Sequence, residues 1–532
     1  MSVIPNQTLS GVKIHNNKLK IKKMQQMTNR IYKTEHLLIA LFAAISLAIH
    51  LIADCNSFYH GDELLHIEAG RYPAFGYMDF APVISYLAYI QNLFQSDSLI
   101  INHLFVHLAS VLILVFCGLL TIKLGGKWPA VLVTLSCILF SPGFGASHSL
   151  FLPALFEQLA WVICFYMLVS YCNSANTISM ILLGIFAALG FLTKYSIAFL
   201  IAGIVFSVLL FQREILKKKA LWIALALFLL IILPNILWQI KNGLPVFNHV
   251  SKLYETQLDN NSRLSELKML VLFLNPFTSI FWIAGLFMFP FTPEFKKYRL
   301  ASFSLLFAFV LLFIAKGKTY YYFPIILGVL PLGALFFERL LQQRKAILIV
   351  YVTILAFFGL LILPKGVPVL PLDTYVKLYR LEKNSNNRIP LTFENYYSKA
   401  IWDQVLASVE TTYRNLPATE QKECLIWGRH YSQAGGINLL GRKFRLPPAI
   451  SFHSSYYNWV PDFPAHITMI VISDYSWDKE HWLRYFEDVQ EVDSIENPYA
   501  SDKEWYVQHI FLCRNLKYSS AELKMKFSNQ IF

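Results

Sequence analysis

The chain has 532 residues, of which 56% are hydrophobic and only 15% are charged, and its formal net charge is +13. Soluble domains carry about 25% charged residues, so the composition excludes an ordinary soluble protein. The positive charge does not indicate a nucleic-acid partner, because no folded basic surface follows the basic N-terminal segment. The composition predicts a polytopic membrane protein.

The first segment, residues 1–34, contains seven Lys or Arg residues and no acids. It lacks the early apolar core of a cleavable signal peptide. We therefore interpret it as a basic cytoplasmic tail that sets the topology of the chain.

Apolar runs recur through residues 35–364, and many approach or reach the roughly 20 residues that a membrane-spanning helix needs. The shorter apolar segment 81–95 fits a re-entrant or interfacial helix better than a span. We predict about eleven transmembrane helices, at residues 35–53, 99–121, 128–142, 150–171, 177–193, 196–211, 219–239, 269–290, 299–315, 321–338 and 346–363.

The charges of the connecting loops orient these spans. With the N-terminus in the cytoplasm, four of the five inner turns are rich in Lys and Arg, as the positive-inside rule requires. The first outer loop, residues 54–98, instead contains six acids and a single Arg71. An odd number of spans then places the C-terminal segment, residues 365–532, on the outer face.

The C-terminal segment has the composition of a water-soluble domain. Strand-like runs lie at Cys424–Trp427, His466–Ser473 and Trp505–Cys513, and a helical pattern lies near Asn395–Thr412. We expect a small α/β or α+β extracytoplasmic domain. Its two cysteines, Cys424 and Cys513, could form a disulfide in an oxidising compartment. The sequence does not determine whether they pair.

The most unusual residues follow the first span directly. Asp62 and Glu63 lie between His60 and His66, and charges beside a bilayer are costly unless they have a function. Paired acids are what acid–base catalysis requires. Two alternatives remain open: the acids cap a helix, or the four residues bind a metal, although the zinc motif His-Glu-x-x-His is absent.

Other polar residues fall on the same predicted side of the membrane. Carboxylates and cations at that level suit a reaction in which a base deprotonates a hydroxyl while cations stabilise a departing lipid phosphate. Each lysine also has an alternative interpretation. Lys194 could extend its side chain to the membrane interface, and Lys316 and Lys318, beside three tyrosines, could form an ordinary interfacial belt. The candidate substrate-binding residues are Asp79, Glu157, Lys194, Tyr195, His249, Lys316, Lys318 and Tyr320.

Several of these stretches resemble family 39 glycosyltransferases, and in particular their bacterial members. This family includes protein O-mannosyltransferases and lipid A aminoarabinose transferases, which share the C-type integral-membrane fold. The similarity covers most of residues 55–460. The motifs that carry it are Asp62-Glu63, Gly76-Tyr77-Met78-Asp79 with Pro82, Phe156-Glu157-Gln158, Leu192-Thr193-Lys194-Tyr195, Leu233-Pro234-Asn235-Ile236-Leu237-Trp238, Asn242-Gly243-Leu244-Pro245, Lys316-Gly317-Lys318-Thr319-Tyr320-Tyr321, Tyr431-Ser432-Gln433-Ala434-Gly435 and Leu446-Pro447-Pro448-Ala449-Ile450-Ser451 with Tyr456-Tyr457-Asn458-Trp459. One departure is Asp79-Phe80-Ala81-Pro82, where family members commonly carry a second proline and often a histidine.

The resemblance implies an inverting glycosyltransferase of the bacterial cytoplasmic (inner) membrane. Such an enzyme moves a sugar from a polyprenyl-phosphate carrier, its donor substrate, to a protein, lipid or glycan acceptor on the outer face. By resemblance Asp62 matches the catalytic base and Glu63 its neighbour, both as catalytic residues. Glu157 matches a second acidic position, and Lys194 and Lys318 match cations near the carrier phosphate.

No cofactor is required by this interpretation. A divalent metal remains an open alternative, with His66, His148 and Glu157 as candidate ligands.

Two other functions remain as alternatives. A transporter or flippase of a charged lipid or solute is disfavoured, because such proteins tend to have repeated halves with matching broken spans and this sequence has no convincing internal repeat. A membrane-anchored receptor would bind a glycan through the C-terminal domain alone.

Overall fold

The computed structural model describes residues 33–474 and 478–531. Most of the predicted basic tail, residues 1–32, therefore lies outside the described residues. The described chain has a helical part followed by a C-terminal domain with one sheet, so the predicted fold class is confirmed.

The helical part extends to about residue 365. Its α-helices are α1 (Lys33–Asn56), α2 (Gly61–Ala69), α3 (Val83–Asn92), α4 (Leu99–Asn102), α5 (Leu104–Lys123), α6 (Trp128–Leu139), α7 (Pro142–Ser147), α8 (Pro153–Ser174), α9 (Thr177–Phe191), α10 (Ala198–Phe211), α11 (Lys219–Lys241), α12 (Pro245–Leu253), α13 (Arg263–Phe273), α14 (Ser279–Ile283), α15 (Arg299–Ile314), α16 (Phe323–Leu341) and α17 (Lys345–Ile362).

The predicted multi-pass membrane architecture is confirmed. Among the described residues, seven helices are long and apolar enough to cross a bilayer: α1, α5, α8, α11, α15, α16 and α17, the last three together with adjoining 3₁₀ turns. The predicted span 269–290 is instead a pair of helical segments, Arg263–Phe273 and Pro276–Phe291, bent by 98°. Three shorter apolar helices, α6, α9 and α10, lie at the remaining predicted spans.

Glycine allows some of these helices to approach very closely. A Cβ atom placed at Gly333 on α16 would overlap the carbonyl oxygen of Phe281 on α14, and one at Gly203 on α10 would overlap that of Ser304 on α15. Helices in membranes associate largely through such close packing of small residues, because lipid supplies no hydrophobic driving force between them.

The C-terminal domain contains a five-stranded sheet of order β2-β1-β3-β5-β4. Strand β1 is parallel to β2 and β3, whereas β5 is antiparallel to β3 and β4. The strands are β1 (Leu425–Gly428), β2 (Ala449–Ile450), β3 (Met469–Asp474), β4 (Phe486–Glu496) and β5 (Val507–Leu516), and the helices are α18 (Leu372–Leu378), α19 (Ser398–Arg414), α20 (Ala418–Glu423), α21 (Tyr431–Leu440), α22 (Lys479–Trp482) and α23 (Ser520–Phe527).

The predicted strands correspond to β1, β3 and β5, and the predicted helix corresponds to α19. Strand β4 was not predicted, because its charged and polar residues alternate with few buried ones. Cys424 and Cys513 are both buried free thiols, so the disulfide that the sequence left open is absent.

The C-terminal domain packs directly on the first loop of the helical part. Helix α21 crosses α2, and a Cβ atom placed at Gly435 would lie 2.9 Å from the carbonyl oxygen of Leu64. The missing side chain therefore lets the two helices approach, and α2 is enclosed between the two parts of the protein.

The close helix contact at Gly333 generates a stability prediction. Gly333→Ala forces α16 away from α14, and overpacking of this kind costs about 1–3 kcal/mol. We expect a lower midpoint of thermal unfolding for the detergent-solubilised variant. The control is Gly317→Ala, whose added Cβ would meet its nearest atoms at 3.4 Å; equal midpoints for the two variants would contradict the packing account.

Candidate active site

Helix α2 begins with a capping box that gives Asp62 and Glu63 different tasks. The ring nitrogen Nδ1 of His60 accepts a hydrogen bond from the backbone N–H of Asp62 at 3.2 Å, and Glu63 accepts one from the backbone N–H of His60 at 2.8 Å. The capping interpretation is therefore correct for the Glu63 carboxylate, whereas the Asp62 carboxylate has no part in the cap.

Asp62 lines a cavity of about 580 Å³ between the helical part and the C-terminal domain. Its lining combines charged and polar side chains with apolar side chains of the helical part, including Leu150, Leu152 and Phe323. Six residues singled out from the sequence meet here: His60, Asp62, His66, Lys194, Lys318 and Tyr320.

The Asp62 carboxylate is held in its ionised form. The Tyr431 hydroxyl donates a hydrogen bond to Asp62 Oδ1 at 2.5 Å. Burial opposes the charge, but the field of His60 and the hydrogen bond from Tyr431 outweigh burial and hold the pKa of Asp62 below its usual range. In turn, Glu394 and Asp62 outweigh burial at His60 and raise its pKa.

Glu63 points away from this cavity and is completely buried. Its Oε1 atom lies 2.8 Å from His103 Nε2 and accepts a hydrogen bond from the Phe151 backbone N–H at 2.6 Å. The other ring nitrogen of His103 lies 2.9 Å from Asp54 Oδ1. Ionised carboxylates only accept hydrogen bonds, so both nitrogens of His103 carry protons. Glu63 thus fixes the position of α2 rather than contacting a ligand in the cavity.

Lys194 is held at the cavity wall by three groups. Its Nζ atom lies 3.5 Å from Glu157 Oε2, 4.9 Å from the ring centre of Tyr320 and 4.5 Å from that of Tyr321. Glu157 is buried and also accepts a hydrogen bond from Ser196 at 2.6 Å. Lys194 therefore lines the cavity, and its ammonium group contacts a buried carboxylate and two aromatic rings.

The other lysine candidates have different environments. Lys318 lines the cavity and donates a hydrogen bond to Gln257. Lys316, only two residues away, forms an ion pair with Asp259 at 2.6 Å and does not line the cavity. Tyr195 lies beside the site, 3.3 Å from Asn235 and 3.2 Å from Gln239.

Asp79 and His249 lie in a second, adjacent cavity of about 300 Å³. Asp79 accepts hydrogen bonds from Ser454 and from Ser455, the latter at 2.6 Å. Tyr431 also lines this second cavity, so the side chain that binds Asp62 stands between the two spaces.

The three candidate metal ligands do not form a cluster. His66 packs edge-on against Phe80 at 4.7 Å, His148 Nε2 lies 3.1 Å from Gln158, and Glu157 faces Lys194. Across residues 33–474 and 478–531, no group of three or more His, Cys, Asp or Glu residues could hold a metal ion. These candidates therefore do not fit a metal site.

Some contributors to the site were not identified from the sequence. Tyr431 lies 369 positions from Asp62, and its only signal was the family-like motif at its position. Ser454 and Ser455, which bind Asp79, carried no signal in the sequence. His103 was hidden at the boundary of an apolar run.

Comparison with known proteins shows a family and several solved structures to which this chain is similar. Residues 79–238 match the family described as dolichyl-phosphate-mannose-protein mannosyltransferase. The family resemblance is confirmed. No curated protein sequence matches the chain.

Two solved structures share the fold of this chain. They are ArnT from Cupriavidus metallidurans bound to undecaprenyl phosphate (TM-score 0.57, 12% identity) and the same protein in the apo state (TM-score 0.54, 13% identity), each over 89% of this chain and 97% of that chain. A weaker likeness, with a TM-score of 0.47 and 14% identity, links 78% of this chain to 64% of the archaeal oligosaccharyltransferase AglB from Archaeoglobus fulgidus, in complex with an inhibitory peptide and a dolichol-phosphate.

The buried ion network around His103 generates a prediction. His103→Ala removes the imidazole that bridges the buried carboxylates of Asp54 and Glu63, and His107, 3.0 Å from Asp54 Oδ2, remains beside only one of them. Breaking a buried ion pair costs on the order of 3–5 kcal/mol. We expect a large fall in the thermal unfolding midpoint in detergent. His36→Ala, at an exposed position of α1, is the control; a midpoint for His103→Ala equal to that of the control would disprove the stabilising role.

Proposed function

We propose that this protein is an inverting glycosyltransferase that moves a sugar from a polyprenyl-phosphate carrier to an acceptor on the outer face of the cytoplasmic membrane. The observation that carries the proposal is the Asp62 carboxylate, bound by Tyr431, in one cavity with the side chains of Lys194 and Lys318. The fold shared with ArnT, a protein whose structure contains undecaprenyl phosphate, supports the same donor class.

The orientation of the protein rests on the charge of its loops. Lys and Arg gather in the turns opposite the acidic first loop, which by the positive-inside rule puts those turns and the N-terminus in the cytoplasm. The site and the C-terminal domain then face the outside. There the enzyme would bind a polyprenyl-phosphate sugar that has crossed the membrane.

In the proposed reaction Asp62 is the general base. Its free carboxylate oxygen takes the proton of the acceptor hydroxyl, while the acceptor oxygen attacks the anomeric carbon of the donor sugar. The bond from that carbon to the phosphate oxygen breaks, and its electron pair leaves with the polyprenyl phosphate. A single displacement of this kind inverts the configuration at the anomeric carbon.

The surrounding residues suit the two ends of such a donor. Lys194 and Lys318 stabilise the negative charge that develops on the departing phosphate. The apolar lining contributed by Leu150, Leu152 and Phe323 suits the first isoprene units of the carrier. The hydrogen bond from Tyr431 orients Asp62 and leaves its second oxygen for the acceptor.

A test of the base uses Asp62→Asn, which keeps the size of the side chain but removes its basicity. General base catalysis contributes typically 10²–10⁴-fold, and we expect turnover to fall by about that factor. The measurement is release of undecaprenyl phosphate in a membrane preparation supplied with undecaprenyl-phosphate-linked mannose or aminoarabinose. Asp97→Asn, in the same loop but outside the cavity, is the control, and a wild-type rate for Asp62→Asn would exclude Asp62 as the base.

The two neighbouring lysines provide a matched test of phosphate binding. Lys318→Gln removes a cation from the cavity, and hydrogen bonds to charged groups contribute about 1.5–3 kcal/mol, so affinity for undecaprenyl phosphate should fall about 10- to 100-fold. Lys316→Gln removes a cation that Asp259 already neutralises. Titration of both purified variants with undecaprenyl phosphate distinguishes them, and equal losses of affinity would contradict the assignment of Lys318.

A further inference from the structure

A further polar cleft, separate from both cavities described above, lies at the far end of α2 from Asp62. Its volume is about 610 Å³, and its lining residues are Arg71, Asn92, Gln95, Asp97, Leu439, Arg442 and Lys443. Asp62 lies in the first turn of α2 and Arg71 lies just beyond its end, so the two are about 14 Å apart along the helix axis. Among the described residues, the cleft and the candidate active site share no lining residue.

Positive charge converges on this cleft. Arg71 Nη2 and Arg442 Nε both donate hydrogen bonds to the same acceptor, the carbonyl oxygen of Asn438, at 3.2 Å and 2.8 Å. Burial and the charge of Arg71 lower the pKa of Arg442, which means that the two guanidinium groups repel each other.

Carboxylates only partly neutralise these cations. Arg71 lies 3.4 Å from the buried Glu68, and Asp97 lies on the rim. Within the described part of the chain, Arg442 and Lys443 form no ion pair. The three cations exceed the two acids, so the cleft carries a net positive charge that suits an anion.

Exposed apolar side chains flank two of the lining residues of the cleft, Gln95 and Asp97, in the chain. Leu93 and Phe94, at the end of α3, are 66% and 59% exposed, and Ile100 and Leu104, at the start of the next apolar helices, are 43% and 47% exposed. The rim residues Gln95 and Asp97 lie between these two groups in the chain. Large apolar side chains exposed on the surface of a membrane protein can contact the acyl chains of lipids.

We propose that this cleft binds the phosphate of an anionic phospholipid in the outer leaflet, with the acyl chains lying along α3 and α5. Guanidinium groups recognise phosphate oxygens with directed hydrogen bonds. The adjoining apolar side chains favour a lipid over free phosphate. This lipid is not a substrate, so the proposal is independent of the transferase reaction.

The test is native mass spectrometry of the full-length protein in detergent, titrated with phosphatidylglycerol or phosphatidylcholine. We expect wild type to retain at least one more phosphatidylglycerol than phosphatidylcholine. The double variant Arg442→Gln/Lys443→Gln should lose that difference, with affinity falling at least fivefold. The control Lys422→Gln/Arg445→Gln removes the same charge from exposed positions outside the cleft and should behave like wild type.

The proposal would be overturned by equal retention of the two lipids by wild type, by an unchanged preference in the cleft variant, or by an equal loss in the control variant. Inorganic phosphate is added as a competitor, and full displacement of the lipid at low millimolar phosphate would identify a free-phosphate site instead. If the cleft variant is less stable than wild type, the shift of its thermal unfolding midpoint on lipid addition provides a second readout. Phosphatidylglycerol should raise the unfolding midpoint of wild type and of the control variant but not that of the cleft variant.

Discussion

The buried contact of His103 with Asp54 and Glu63 is the constraint on which the rest of the site depends. Two carboxylates in an apolar interior are costly unless a cation and hydrogen bonds satisfy them, and His103 meets both, at 2.9 Å and 2.8 Å. Glu63 also accepts hydrogen bonds from the backbone N–H groups of His60 and Phe151. The contact between His103 and Glu63 therefore determines where α2 begins. The position of Asp62 in the cavity follows from it.

The two parts of the protein complete each other at this point. The helical part supplies Asp62 and the lysines, whereas the C-terminal domain supplies Tyr431, which binds Asp62, and the serines that bind Asp79. The close crossing of α21 over α2 at Gly435 makes these contacts possible. The C-terminal domain is therefore part of the candidate site rather than a separate module, which argues against a receptor that acts through this domain alone.

Residues that are neighbours in the chain face opposite directions and acquire different roles. Asp62 faces the cavity while Glu63 is buried against His103, and Lys318 faces the cavity while Lys316 pairs with Asp259. The family resemblance distinguished Asp62 from Glu63 and matched Lys318 to a cation near the carrier phosphate, but the sequence did not show that Glu63 and Lys316 lie outside the cavity lining. The direction of a side chain depends on the helix start or turn that carries it, and in each pair the partner comes from a distant part of the chain.

The sequence by itself predicted the multi-pass helical architecture, the C-terminal α/β or α+β domain and the family resemblance, and it singled out the loop that contains Asp62. These features depend on local hydropathy, on local charge and on short motifs. Only the tertiary structure decided that the span near residues 269–290 is bent by 98° and that Tyr431 binds Asp62. It also decided that the candidate metal ligands are scattered among other partners. Each of these depends on contacts between residues far apart in the chain, and local patterns do not record such contacts.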